Sequence, residues 1–319
     1  MTGGVLILTG PTASGKSAFG IAVAERFGAE IVGADSRQIY RGMTIGTAAP
    51  GEAERARVPH HLIGILEPHE RYSAARFARD ALAAIDAIHA RGRNALVVGG
   101  TGFYIRALAG DVALSPTHDA TLRERLVHEV RVHPADVLHG WLSALDPVRA
   151  AAIVPNDRYR IVRALEVALA RRAGSGDAPR PAGDTGTRAA PDSAESLRSR
   201  GIAYRKVALV PEPAALLPRI ERRVDAMLAA GLLAEAERIG GDAVAADAVG
   251  YREALAYLRG WSTAAELRAH LIRNTRRYAK RQATWLRTEP DLALLDAADP
   301  FAFACRAARA LGWTDRDAD

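Results

Sequence analysis

Gly10-Pro11-Thr12-Ala13-Ser14-Gly15-Lys16-Ser17 follows the apolar run Val5-Leu6-Ile7-Leu8 and opens into a helical pattern from Ala18 to Phe27. A strand, a glycine-rich turn and a helix in that order read as a P-loop. The glycines let the backbone wrap an anion, the amides at the helix start point inward, and Lys16 adds a full positive charge. A phosphate or diphosphate belongs there, and the Ser17 hydroxyl can join a Mg²⁺ that bridges phosphate oxygens.

Working outward, the next apolar strand, Ala95-Leu96-Val97-Val98, runs into Gly99-Gly100-Thr101-Gly102. NTPases usually end such a strand in an Asp that holds the metal. Its omission argues against an ATP-driven motor or switch, although small-molecule kinases also dispense with that acid.

The 319 residues exceed a typical single domain, so the length suggests one large α/β domain with an insertion, or two domains. A hydrophobic content of 49% with 25% charged residues is ordinary for a globular chain, and no apolar run approaches the ~20 residues of a membrane span. The start, Met1-Thr2-Gly3-Gly4, lacks the basic and apolar regions of a signal peptide, so a cytoplasmic location is expected. The single cysteine, Cys305, excludes an internal disulfide and a cysteine-based zinc site. A net charge of +6 and a pI near 9.7 suggest a polyanionic partner, with the distribution of charge left to decide.

A short buried strand over 29–34 brings Asp35, Ser36, Arg37 and Gln38 to its C-terminal end, the edge where open α/β sheets bind ligands. Asp35 there either accepts a proton from an incoming nucleophile or caps the following turn. Pro59-His60-His61-Leu62 lacks the spacing and companion ligands of a metal site, which favours a structural or substrate-edge role. Ser73 is a credible N-cap for a helix running to about His89, with Phe77, Leu82, Ile85 and Ile88 as its apolar stripe. Gly99 to Gly102 arrive at the same sheet edge, where Thr101 offers a hydroxyl.

These segments resemble the bacterial tRNA dimethylallyltransferases. The resemblance rests on Gly10 to Ser17, Asp35-Ser36 with Gln38 and Tyr40, Pro59 to Leu62, Tyr72-Ser73-Ala74 and Val98 to Gly102 with Tyr104. Downstream it continues through Asp146-Pro147, Pro155-Asn156-Asp157, Arg160-Ile161 with Arg163 to Glu166, Arg219-Ile220 with Arg223 and Met227, Gly250-Tyr251 and Arg276 to Trp285. It spans nearly the whole chain in order. One departure is Pro211-Glu212-Pro213-Ala214, which stands where the family has an Asp-Arg pair.

The resemblance implies transfer of a dimethylallyl group from dimethylallyl diphosphate to the N6 amine of adenosine 37, immediately 3′ of the anticodon, in tRNAs reading codons that begin with U. The catalytic residues implied are Asp35, Thr101 and Arg223. The diphosphate falls to Gly10, Pro11, Thr12, Ala13, Ser14, Gly15, Lys16 and Ser17, with Mg²⁺ near Ser17. Asp35 would take the amine proton, Thr101 would bond the leaving oxygen or hold the base, and Gln38 would read the base edge beside Ser36 and Arg37. Two alternatives keep the same loop: a dimethylallyltransferase for free adenine nucleotides, and a P-loop kinase for a small metabolite.

The expected architecture is an α/β, P-loop-type parallel sheet flanked by helices, with an inserted helical domain. Residues 1–112 form the first part of the core, 113–200 a helical tRNA-binding insertion ending in a disordered loop at 174–200, and 201–319 the second part. The insertion is dense in arginine, and the resemblance directs Arg123, Tyr159, Arg160, Ile161, Val162 and Arg163 to the anticodon stem-loop. Arg219 and Arg223 lie four apart on one helix face that could meet the diphosphate. Between Glu266 and Glu289 seven Lys and Arg occur without one acid. On a helix Arg273, Arg277, Lys280 and Arg281 share one side, while Leu271, Tyr278, Trp285 and Leu286 share the other, which is the footprint of an RNA-binding face. The chain is expected to act as a monomer, away from membranes.

Overall fold

The structure, a computed structural model of the chain, describes residues 3–112, 114, 120–174, 195–295 and 298–316. The chain folds into two compact units, one of residues 1–113 with 193–319 and one of 114–192.

The first unit holds β1 (Val5–Thr9), α1 (Lys16–Arg26), β2 (Ala29–Gly33), α2 (Glu52–Arg57), β3 (His60–His61), α3 (Ala74–Ala90), β4 (Asn94–Val98) and α4 (Gly102–Ala109). The second unit holds α5 (Ala120–Val132), α6 (Ala135–Leu145), α7 (Pro147–Ala151) and α8 (Arg158–Gly174). The chain then returns to the first unit with β5 (Tyr204–Ala208), α9 (Pro213–Ala229), α10 (Leu232–Ile239), α11 (Tyr251–Leu258), α12 (Ala264–Leu286), β6 (Leu292–Leu294) and α13 (Pro300–Arg309).

The six strands form one parallel sheet in the order β3-β2-β4-β1-β5-β6. All five residues of β1 and of β2 are buried, as expected where helices cover both faces of a parallel sheet; β1 accordingly reads as a near-continuous apolar run, and in β2 the buried Glu30 is matched by Arg91 and His61. Leu6, Leu8, Ile21, Phe27, Leu96 and Val207 pack with Cys305 and Trp313 in one cluster that joins the sheet to α1 and α13. A second cluster ties the segment at Ile39 to Met43 to α9, α10, α11 and α12 through Ile220, Val224, Leu232, Tyr251 and Leu271.

Helix α3 starts where the cap rule puts it, with Ser73 Oγ accepting from the Arg76 amide at 3.1 Å, and it buries Phe77, Leu82, Ile85 and Ile88. Helix α12 opens on a reciprocal Thr263 and Glu266 capping box. Lys206 in β5 is fully buried, and the carboxylates of Asp111 and Glu289 neutralise it.

The connection at 174–200 needs a correction at its end. Residues 175–194 lie outside the described residues, but 195–200 form an ordered turn. Leu197 is buried and its amide donates to Leu108 O at 2.8 Å, while Arg198 and Arg200 reach Asp111 and Asp86. One apolar residue among serines carries no periodicity, so composition grouped this turn with its polar neighbours.

In the second unit Leu126, Leu138, Leu142, Ile153, Ile161 and Leu165 form its own core. Among the described residues, no helix is long and apolar enough to cross a membrane.

Candidate active site

The loop after β1 is bent by left-handed residues, Ala13 at φ 62° and Gly15 at φ 89°. Nothing lies within 4 Å of a side chain added at Gly15, so its backbone angle, not contact, calls for glycine there. Helix α1 follows at once, and its first-turn amides have no acceptor within the helix. They form a positive helix end beside the loop. Lys16 Nζ lies 3.4 Å from Pro11 O. Burial lowers its pKa to about 8, with the Asp35 carboxylate pulling upward and the Arg223 guanidinium downward. Arg223 is likewise lowered by burial and supported by Asp35. Ser14 Oγ is buried without a hydrogen-bond partner among the described residues, an acceptor or donor left over in a loop shaped for an anion.

Strands β2 and β4 end side by side and carry the second half of the site. Asp35 Oδ1 accepts from the amides of Arg37 at 2.9 Å and Gln38 at 3.4 Å. The carboxylate therefore caps its turn with one oxygen, and the other keeps no hydrogen bond among the described residues. Thr101 Oγ1 accepts from the Ser36 amide at 2.9 Å and lies 3.3 Å from Ser36 Oγ, and the Thr101 amide donates to Ala34 O. Lys16, Ser17, Asp35 and Gln38 line one cavity together with Ile31, Ile63 and Val98. A cationic and hydroxyl-bearing end thus adjoins an apolar wall.

A family model described as IPP transferase matches residues 38–289, and one described as isopentenyl transferase matches 3–63. The chain belongs to the IPP transferase family. It is 45% identical over 297 residues to a tRNA dimethylallyltransferase of Halorhodospira halophila, covering 91% of this chain and 92% of the relative. A tRNA dimethylallyltransferase of Anaeromyxobacter is 47% identical over 290 residues, with 89% and 92% covered. The crystal structure of the full-length tRNA isopentenylpyrophosphate transferase from Bacillus halodurans superposes with a TM-score of 0.66 at 34% identity, over 97% of this chain and 98% of that one.

Other residues of this IPP transferase are held in ways the sequence did not disclose. The Gln38 amide nitrogen donates to Thr47 O at 3.2 Å and Ala48 O at 3.1 Å, so it supports a loop and only its oxygen remains to read a base. Arg37 pairs with Asp247 at 2.9 Å. Arg219 donates to Ser14 O and Arg223 to Thr47 O, both at 3.2 Å, which braces the loops around the cavity. The Thr12 amide donates to Gln282 at 2.8 Å, so it is not among the free amides of the P-loop. His60 bonds Val58 O and lines the cavity, and His61 bonds Glu30 at 2.7 Å.

Sequence reasoning passed over Glu235, and it placed Tyr278 in the inner stripe of α12 and Gln282 in the resembling stretch without giving either a role at the site. Glu235 is 2% exposed and accepts from the amides of Thr44, Ile45 and Gly46 and from the Tyr251 hydroxyl, which fixes the loop that receives Gln38 and Arg223. Burial and the charge of Asp35 raise the Tyr278 pKa, so Tyr278 shares the field of the site. The available signal was a polar residue inside an apolar stripe: Glu235 between Leu232 and Ile239, Gln282 between Ala279 and Leu286.

The RNA-binding candidates divide by unit. On α12, Arg273, Arg277, Lys280 and Arg281 are exposed, while Leu271, Ala279, Gln282 and Leu286 are buried. On α8, Tyr159 is 77% exposed, but Arg160 pairs with Asp157, and Arg163 and Arg123 both reach the buried Glu166, at 2.7 and 3.9 Å. The Ile161 side chain is fully buried and presents no free apolar surface to a partner, while Val162 packs on the same core and is half-buried.

For Mg²⁺, the donor is a hard oxygen, the hydroxyl of Ser17, which lines the cavity beside Lys16. Among the described residues no group of three His, Cys, Asp or Glu forms a cage. Mg²⁺ commonly takes one or two protein oxygens and fills its shell with phosphate and water, so Ser17 fits it beside an anion site.

Proposed function

We propose that the chain transfers the dimethylallyl group of dimethylallyl diphosphate to the N6 amine of adenosine 37 in tRNAs reading codons that begin with U, releasing diphosphate. One observation carries the chemistry: Lys16, Ser17 and Asp35 line a single cavity with the polar side chains of Gln38 and His60 and an apolar patch of Ile31, Ile63 and Val98. Lys16, Arg223 and the first amides of α1 hold the diphosphate and stabilise its growing charge as the carbon–oxygen bond breaks. The amine nitrogen forms the new bond to the allylic carbon, and its proton passes to Asp35. Thr101, tied to Ser36, keeps the Asp35 turn against the base. Ser17 would hold a Mg²⁺, which would supply further charge neutralisation at the diphosphate.

The tRNA is held by Arg273, Arg277, Lys280 and Arg281 of α12 and by Ser36 and Arg37. In the helical unit the exposed Tyr159 presents its side chain to it, while Arg123, Arg160 and Arg163, paired with acids of their own unit, set the helix that carries Tyr159 together with Ile161 and Val162. A kinase or a free-nucleotide prenyltransferase has no use for the cationic face of α12. An extruded adenosine suits a cavity at a sheet edge. The same reading makes the protein a cytoplasmic monomer.

Incubating the protein with unmodified tRNA, dimethylallyl diphosphate and Mg²⁺, followed by mass spectrometry of the nucleosides, tests the proposal. N6-dimethylallyladenosine from tRNA is the expected product. Prenylated AMP or ATP without modified tRNA, or phosphate transfer to a metabolite, overturns it.

A further inference from the structure

Gln282 lies on the inner face of α12 and is 7% exposed. Its Oε1 accepts from the Thr12 amide at 2.8 Å, and its Nε2 donates to Gly100 O at 2.9 Å. One side chain thus joins the P-loop after β1 to the turn after β4. The fit is close: a Cβ at Gly100 would lie 2.4 Å from Nε2, and one at Gly102 would lie 2.1 Å from the Trp285 ring, one turn further along α12. Arg106 stacks over that ring from α4, with its guanidinium carbon 5.5 Å from the ring centre.

The polarity of the contact is fixed by its partners. A backbone amide needs an acceptor and a backbone carbonyl needs a donor, and a primary carboxamide presents both at the required separation. Methionine has the length but neither group. An ionised glutamate serves Thr12 and sets a negative oxygen against Gly100 O, whereas its protonated form offers an acceptor and an O–H donor.

We propose that Gln282 is a positioning residue that sets the P-loop against the Thr101 turn, so that an amine beside Asp35 and a diphosphate on Lys16 meet at a fixed distance. Its effect on turnover rests on the transfer reaction proposed above; its effect on the loop does not. Misplacement of reacting groups by about 1 Å costs on the order of a hundredfold in rate.

Three measurements test it. Gln282→Met should lower kcat roughly 10- to 100-fold with tRNA affinity within about twofold of the parent protein. Hydrogen exchange at the Thr12 amide should accelerate by about tenfold or more, because its acceptor is gone. Gln282→Glu should recover activity relative to the parent as pH falls, since protonation restores the donor, and its buried site raises the pKa at which this happens. Parent-like kcat and Thr12 exchange in Gln282→Met overturn the proposal. If Gln282→Met does not fold, the Glu variant decides: a rising ratio at acid pH supports the clamp, and a flat ratio refutes it. Should the parent protein fail to prenylate tRNA, the transfer reading falls, and Thr12 exchange alone judges the clamp.

Discussion

Helices α8 and α12 are both rich in arginine, yet they spend their charge differently. On α8, Arg163 and Arg160 pair with acids of their own unit, and Arg158 donates to Val130 O. On α12, Arg273, Arg276, Arg277 and Lys280 are exposed and make no ion pair or side-chain hydrogen bond among the described residues. A cation already matched by a carboxylate releases fewer counterions on meeting a phosphate than an unmatched one. Arginine content therefore marks both helices as candidates, and pairing ranks them. The inner faces differ as well. Helix α8 turns Ile161 and Leu165 into a small core, whereas α12 turns Gln282 and Tyr278 toward the cavity loops.

If α12 joins a binding face to a catalytic one, lesions on the two sides must separate turnover from affinity. The largest effect expected is from Asp35→Asn, which should lower single-turnover prenylation by roughly two to four decades while tRNA affinity holds, as for a positioned general base. Turnover near that of the parent would remove Asp35 from the chemistry. Lys16→Ala should follow, raising the concentration of prenyl diphosphate needed for half-maximal rate by on the order of tenfold or more without loss of tRNA binding. Matching losses in both would indicate a damaged fold instead.

Reversing Arg273 and Arg277 to Glu should weaken tRNA binding and flatten the plot of log affinity against log salt by about one to two contacts. The melting temperature should not move, because both residues point away from the buried stripe. An unaltered salt slope would reduce this face of α12 to solvated surface. Arg163→Ala should change the slope by less than one contact and instead destabilise the helical unit by about 1–2 kcal/mol, since Glu166 is 2% exposed and loses its 2.7 Å partner. A slope change matching that of Arg277→Ala would erase the distinction between the helices.

The smallest effect concerns pH. The Lys16 pKa of about 8 lies below its ordinary 10.5, so between these values the unfolded chain carries the extra proton. Stability of the ligand-free protein should accordingly rise with pH across that window. In Lys16→Met the rise should vanish, and the gap in melting temperature between variant and parent should shrink as pH climbs from about 7.5 to 10. A constant gap would mean that Lys16 is not desolvated.

Much of this site was legible in the sequence because its geometry is local. The P-loop is one continuous stretch, Ser73 announces α3 through its own cap, and Asp35 and Thr101 each follow a buried strand directly. The turn at 195–200 was not legible, since Leu197 owes its burial to Leu108 across the fold and not to any pattern around it. Glu235 was missed for a related reason. A carboxylate in an apolar stripe looks like a misplaced surface residue until the loop at Thr44 to Gly46 supplies the amides that satisfy it.

By itself the sequence determined the parallel α/β sheet, the glycine-rich loop between β1 and α1, the helical arginine-rich insertion and the two faces of α12. These follow from periodicity, turn chemistry and charge spacing, which depend on neighbours within a few positions. Only the tertiary structure decided which polar groups are spent and which are left to act. It gives the Thr12 amide to a residue 270 positions away, the Gln38 amide nitrogen to a loop, Arg163 to Glu166 and Arg268 of α12 to Asp225, and it leaves one Asp35 oxygen and the side chains of Arg273, Arg276, Arg277 and Lys280 unbonded among the described residues. A hydrogen bond or ion pair is chosen by distance and direction in space, and linear spacing records neither once the partners lie on different elements.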